Sequence, residues 1–142
     1  MSDFGYSTFA TTVDKTNRVL NEIEHAYGWS KERRNQSYAA LRAVLHALRD
    51  RLTVDEAAQF SAQLPMLIRG IYFAEWDPSD VPVKMDREQF LERIQREFPY
   101  EVEGGLEPLV QTVLKALKGH VSDGEWADIR SSLPNELATI LP

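Results

Sequence analysis

The 142-residue sequence contains no cysteine. Disulfides, thiolate metal sites and cysteine nucleophiles are therefore excluded together, which fits a reducing cytoplasm. Histidine is scarce, at positions 25, 46 and 120. Basic side chains are outnumbered, 16 against 22 acidic, for a net charge of −6. That balance opposes long-range attraction to nucleic acid or anionic lipid, so nucleic acid is not an expected partner. No apolar run approaches the ~20 residues that cross a bilayer. The opening MSDFGYSTFATTV carries Asp3 and lacks a basic segment leading into an apolar stretch, so it does not read as a signal peptide. The expectation is a cytoplasmic protein without membrane contact.

What is present is ordinary globular composition, 43% hydrophobic and 27% charged. A chain of this length buries roughly 68–70% of its unfolded surface, enough for a core without covalent staples. Within it, residues 41–72 return in altered form at 110–141. At a constant offset of 69, Val44, Leu45, Ala47, Leu48, Glu56, Ala58, Leu64, Pro65 and Ile71 meet Val113, Leu114, Ala116, Leu117, Glu125, Ala127, Leu133, Pro134 and Ile140. The matched positions are mostly apolar or turn-setting, as in a copied packing unit.

The helical period dominates. Leu41, Leu45, Leu48 and Leu52 follow steps of three and four, widened by Val44 and Ala47, and the second copy repeats the pattern through Leu117 and Val121. Thr53…Glu56 and Ser122…Glu125 read as capping boxes. Pro65 and Pro134 then break the following helix, predicting segments near 54–63 and 65–72, with counterparts near 123–132 and 134–140. Amphipathic helices at 11–27 and 86–98 precede the two copies. The expected fold is all-α: about six helices in two pseudo-symmetric three-helix units sharing one core. The single domain spans 1–142, with repeats at about 10–72 and 86–142 and a helix-poor connector at 73–85.

The runs Leu-Arg-Ala-Val-Leu (41–45), Ala-Gln-Leu-Pro-Met-Leu-Ile-Arg-Gly-Ile-Tyr (62–72), Trp76-Asp77-Pro78 and His120-Val121-Ser122-Asp123-Gly124-Glu125 resemble the DUF2267 family of bacterial proteins. The likeness covers most of the chain. It implies no activity, substrate or catalytic residue set. Where the family's runs read Gly-Ile-Tyr-Tyr-Asp/Glu-Gly-Trp-Asp-Pro, this sequence has Phe73 and Ala74-Glu75, so a function tied to that second glycine is in question here.

Gly70–Pro78 is the densest cluster of unusual residues. Tyr72 and Trp76 beside Asp77 suit a partner-docking surface. The competing reading has Trp76 plugging the seam between the units and Asp77 capping the turn at Pro78. Arg42, His46 and Arg49 share one polar face of the 33–52 helix, with Arg33, Arg34 and Arg51 nearby. An anion-binding face is one reading, and a solvated face with cations near a helix C-terminus is the ordinary one. Glu22-Ile23-Glu24-His25 matches the Glu-x-x-His pattern of di-iron bundles, but neither other histidine has a glutamate three residues before it. Ser30, Thr53 and Ser122 are read as helix caps. Gly104-Gly105 is a turn, not a phosphate loop.

No catalytic residue, cofactor or metal is expected. The function expected is that of a non-catalytic interaction or regulatory module, meeting an unknown protein partner through a helical groove or the connector. Tyr72, Trp76 and Asp77 are its first candidate residues, with Arg42 and Arg49 next. The alternative is a carrier or sensor of a small apolar or anionic ligand held between the units. A pocket lined by Val44, Leu48, Val113 and Leu117 favours the ligand, whereas a filled seam with an exposed aromatic patch favours the partner. Oligomeric state stays open, since duplication can replace a homodimer.

Overall fold

The computed structural model describes residues 6–142, and among these it forms eight α-helices, two short 3₁₀ turns and no strand. The helices are α1 (Ser7–Tyr27), α2 (Arg34–Arg51), α3 (Val54–Ser61), α4 (Met66–Phe73), α5 (Arg87–Glu97), α6 (Leu106–Lys118), α7 (Asp123–Ser132) and α8 (Asn135–Ala138). The 3₁₀ turns are Lys31–Arg33 and Pro78–Asp80. Asp3, part of the signal-peptide argument, lies outside the described residues. No described helix is long and apolar enough to cross a membrane.

The all-α expectation holds, but the count of about six helices becomes eight. The two prolines account for the difference. Pro65 and Pro134 each sit in extended backbone, with ψ of 148° and 152°, and each serves as the N-cap of a separate helix. Without an N–H to donate, proline starts the next helix instead of bending the last.

Helix α2 is the spine. Ala40, Leu41, Ala43, Val44, Leu45, Ala47 and Leu48 are all fully buried. It packs most extensively on α5 and also meets α1, α4 and α6. Val44, Leu48, Val113 and Leu117 are each 0% exposed and belong to one hydrophobic core. Burial of each such leucine contributes about 1.5–3 kcal/mol. Gly28 closes α1 in the left-handed conformation (φ 65°), which lets Trp29 N–H reach the Glu24 carbonyl at 2.9 Å.

The helix starts differ from one another in an informative way. Thr53 and Glu56 close a reciprocal capping box, at 2.9 and 3.2 Å. The box expected at Ser122 and Glu125 is only half made. Ser122 Oγ accepts the Glu125 N–H at 3.1 Å, but the Ser122 N–H donates to Gln63 Oε1 at 2.9 Å, taking the bond that Glu125 was expected to make. Ser30 precedes a 3₁₀ turn and makes no side-chain capping bond, contrary to expectation. Asp86 and Gln89 form a reciprocal box that opens α5, unread in the sequence.

Candidate functional site

The polar face of α2 is neither solvated nor free. Arg42, His46 and Arg49 recur at spacings of four and three, so they project together toward α4, the connector and α5. His46 and Arg49 are each 2% exposed, and Arg42 is half-buried. The solvated-face reading is therefore corrected: buried charges persist where partners replace water, and each of these has partners.

Arg49 caps the end of α4. Its Nη1 donates to the carbonyls of Tyr72 and Ala74, at 2.9 and 2.8 Å, and its Nε donates to Asp50 Oδ1 at 2.8 Å. The carbonyls at a helix end lack intrahelical donors, and the one Nη1 amino group meets two of them while Nε holds Asp50. His46 lies between two acceptors, with Nδ1 3.0 and 3.1 Å from the Glu97 carboxylate oxygens and Nε2 2.7 Å from the Ile71 carbonyl. Arg42 donates to Glu97 Oε1 at 2.5 Å and also pairs with Glu75.

Helix α5 completes the circuit. Arg93 Nη1 reaches Glu97 Oε2 at 2.6 Å, and its Nη2 reaches Asp50 Oδ2 at 3.2 Å. Charges thus alternate from Glu75 through Arg42, Glu97, Arg93 and Asp50 to Arg49, which returns to the backbone just before Glu75. Burial pushes the Glu97 carboxyl up, but hydrogen bonds from Arg93 and the charge of His46 hold it below the usual range. Together these groups line a cavity of about 310 Å³, with Asp77, Asp80, Val81 and Val83 forming its connector wall.

The connector is tied to this circuit. Glu75 is the one non-glycine residue with positive φ among the described residues, at 63°. That conformation costs on the order of 1–3 kcal/mol for a residue with a Cβ. Glycine would relieve it, and Glu75 occupies the place where the resemblance leads one to expect glycine. Beyond it, Asp77 accepts from the Ser79 N–H at 3.1 Å and the Ser79 hydroxyl at 2.6 Å. Those bonds hold its carboxyl below the ordinary range. Val83 N–H then donates to the Asp50 carbonyl at 2.7 Å, fastening the far end of the connector to α2.

The candidate residues separate by role. Tyr72 is 0% exposed, and its hydroxyl donates to the Ala57 carbonyl at 3.1 Å. Burial raises its phenol above the ordinary value. It is core. Trp76 is half-buried, with its ring 5.0 Å from Phe73 and its indole N–H without a partner among the described residues. Asp77 is exposed and caps the turn at Pro78. Arg42, Arg49 and Asp77 come together at the cavity, while Tyr72 joins through its carbonyl and Trp76 lies behind.

Elsewhere, Glu22 and His25 are exposed, and no group of three or more potential ligands is placed to hold a metal among the described residues. The acid that matters on that turn is Glu24, 3% exposed and missed in the sequence. Arg34 Nε and Nη2 meet its two oxygens at 3.0 and 2.9 Å, and Ser37 Oγ donates at 2.5 Å. Chiefly through Arg34, its carboxyl falls to about 2.

A family model described as an uncharacterized conserved protein, DUF2267, matches residues 16–140. The chain belongs to the DUF2267 family. No curated protein matches it. The match takes in α2, the connector and α5 whole, so the charged circuit lies entirely within the DUF2267 region. Sequence reasoning missed His46–Glu97 and Arg93–Asp50, whose partners are 51 and 43 residues apart. Glu97 and Arg93 do show one readable signal, an i,i+4 pair on α5.

Proposed function

We propose that this DUF2267 chain is a non-catalytic helical module that acts through protein–protein contact, with the connector at 73–85 as the surface it offers. The observation that carries this reading is the bracing of the connector. Arg49 holds the carbonyls of Tyr72 and Ala74, Arg42 pairs with Glu75, Asp77 caps its own turn, and Val83 is bonded to Asp50. Anchored at its two ends before it meets a partner, the connector loses less freedom on binding than a free loop, even where its middle yields. Glu75, Asp77 and Asp80 are exposed on it, so the complementary surface is basic. Tyr72, Arg42 and Arg49 act as supports in this reading, and Asp77 makes contact.

The test is affinity purification with the wild-type chain and with a variant reversing both Asp77 and Asp80 to Arg, circular dichroism confirming that both fold. A protein that co-purifies with the wild type and is lost with the variant is the expected result. Equal recovery by both removes the reading.

The small-ligand alternative has narrower footing. Its apolar form gains no support, since Val44, Leu48, Val113 and Leu117 are all fully buried in the hydrophobic core. Its anionic form is left with the 310 Å³ cavity, whose cations already carry carboxylate partners. The two-unit organisation is also part of the proposal, with residues 10–72 and 86–142 as related halves. In support, a long helix, a second long helix, a capped helix and a proline-started helix follow one another twice, as α1–α4 and α5–α8.

A further inference from the structure

We propose that residues 74–80 form a latched strap over the polar cavity, held down by the Arg42–Glu75 pair and loaded by the left-handed backbone of Glu75. The inference rests on the reading of the connector as a contact surface and names how contact would be felt inside the fold. Glu75, Asp77 and Asp80 form one wall of the cavity, whose other walls carry Arg42, His46, Arg49 and Arg93. Lifting the strap therefore exposes further a set of charges of which Arg49 is almost wholly buried and Arg42, Arg93 and Glu97 are partly so.

The latch is built to yield. The Glu75 side chain is 75% exposed, so its pair with Arg42 is a surface pair and contributes little. Arg42 keeps Glu97 at 2.5 Å when Glu75 leaves, so no charge is stranded. Release also frees Glu75 from a conformation that a side chain disfavours. A lysine or arginine of a docking partner that takes the exposed Glu75 carboxylate replaces Arg42 and opens the strap. The two ends stay anchored, at the Tyr72 carbonyl by Arg49 and at Val83 by the Asp50 carbonyl, which makes these the hinges.

The test needs no partner, so it fails or succeeds apart from the capture experiment. Amide hydrogen exchange is followed at Trp76, whose N–H donates to the Phe73 carbonyl just before the strap, and at Ser79 and Asp80, whose N–H groups are bonded to Asp77 within it. Glu75→Gln removes the ionic latch but keeps the backbone demand, and exchange at these three amides is expected to quicken by about fivefold or more, with the melting temperature nearly unchanged. Glu75→Gly removes latch and strain together, and its amides are expected to exchange more slowly than those of Glu75→Gln. Arg42→Lys, which keeps a cation but loses the fork, should fall between wild type and Glu75→Gln. Unchanged exchange in Glu75→Gln overturns the latch, and a Glu75→Gly variant as fast as Glu75→Gln overturns the strain.

Discussion

The two faces of α2 are both buried, yet they are held by opposite means. One face presents Val44, Leu45 and Leu48, all fully buried, to the hydrophobic core. The other presents Arg42, His46 and Arg49 to carboxylates and carbonyls donated by α4, α5 and the connector. Apolar packing is non-directional, so the first face needs only volume and shape. The second needs each partner at its own angle, because a buried charge that loses its partner keeps the cost of desolvation. A helix of this kind stabilises with one side and positions with the other.

That contrast can be broken from either side. The largest effect is expected on the apolar face, where Leu48→Ala should lower unfolding free energy by about 3 kcal/mol in urea denaturation, through lost burial and the cavity left behind. A loss below about 1 kcal/mol would mean that the seam collapses freely. On the ionic face, Arg49→Met should cost about 2 kcal/mol, because Asp50 loses a partner and two helix-end carbonyls lose their donor. Arg49→Lys should recover little of it, since one ammonium cannot hold both carbonyls and Asp50 from the fixed positions that Nη1 and Nε occupy. If Lys restores full stability, charge alone matters there and the directional account fails.

Acid titration sharpens the comparison at the start of α2, where Arg34 and Ser37 hold Glu24. The folded carboxyl is depressed to about 2 from 4.5, so its contribution is complete above pH 4.5 and is lost as pH falls toward 2. We expect stability to fall by about 2 kcal/mol over that window, and Glu24→Gln to lose a similar amount at neutral pH while flattening the acid limb. An unchanged acid limb in the variant would assign the loss to other carboxylates, Glu97 first. The smallest effect is expected at the rim. Arg42→Ala should cost about 1 kcal/mol or less, and the difference from wild type should shrink in ~1 M salt, where screening acts over about 3 Å.

Much of the apolar face was legible in the sequence, and little of the polar one. The leucine period placed α2 and α6, and Pro65 and Pro134 placed the breaks, because both signals act within one turn of helix. The count came out low only because the segments on either side of each proline were counted as one broken helix, whereas each is a helix with its own start. The charged residues of α2 were found but misread, since a polar face is normally a wet one and their partners come from distant segments. Glu24 was passed over for its neighbours Glu22 and His25, because motif reading attends to spacing, whereas burial depends on which side of α1 meets α2. Glu75 shows the converse. The departure from glycine was visible in the sequence, but its meaning appeared only with the backbone angle.

The Gln63 side chain at the head of α7 carries a consequence for how the molecule melts. Helix α7 begins on a hydrogen bond supplied from the turn after α3, some sixty positions earlier in the chain, while α3 closes its own beginning unaided. Detached from its early neighbours, the late portion would fray at that point first. Heating should give one calorimetric peak and not two, because the two portions share buried leucines, to which the Gln63 bond adds about 1 kcal/mol.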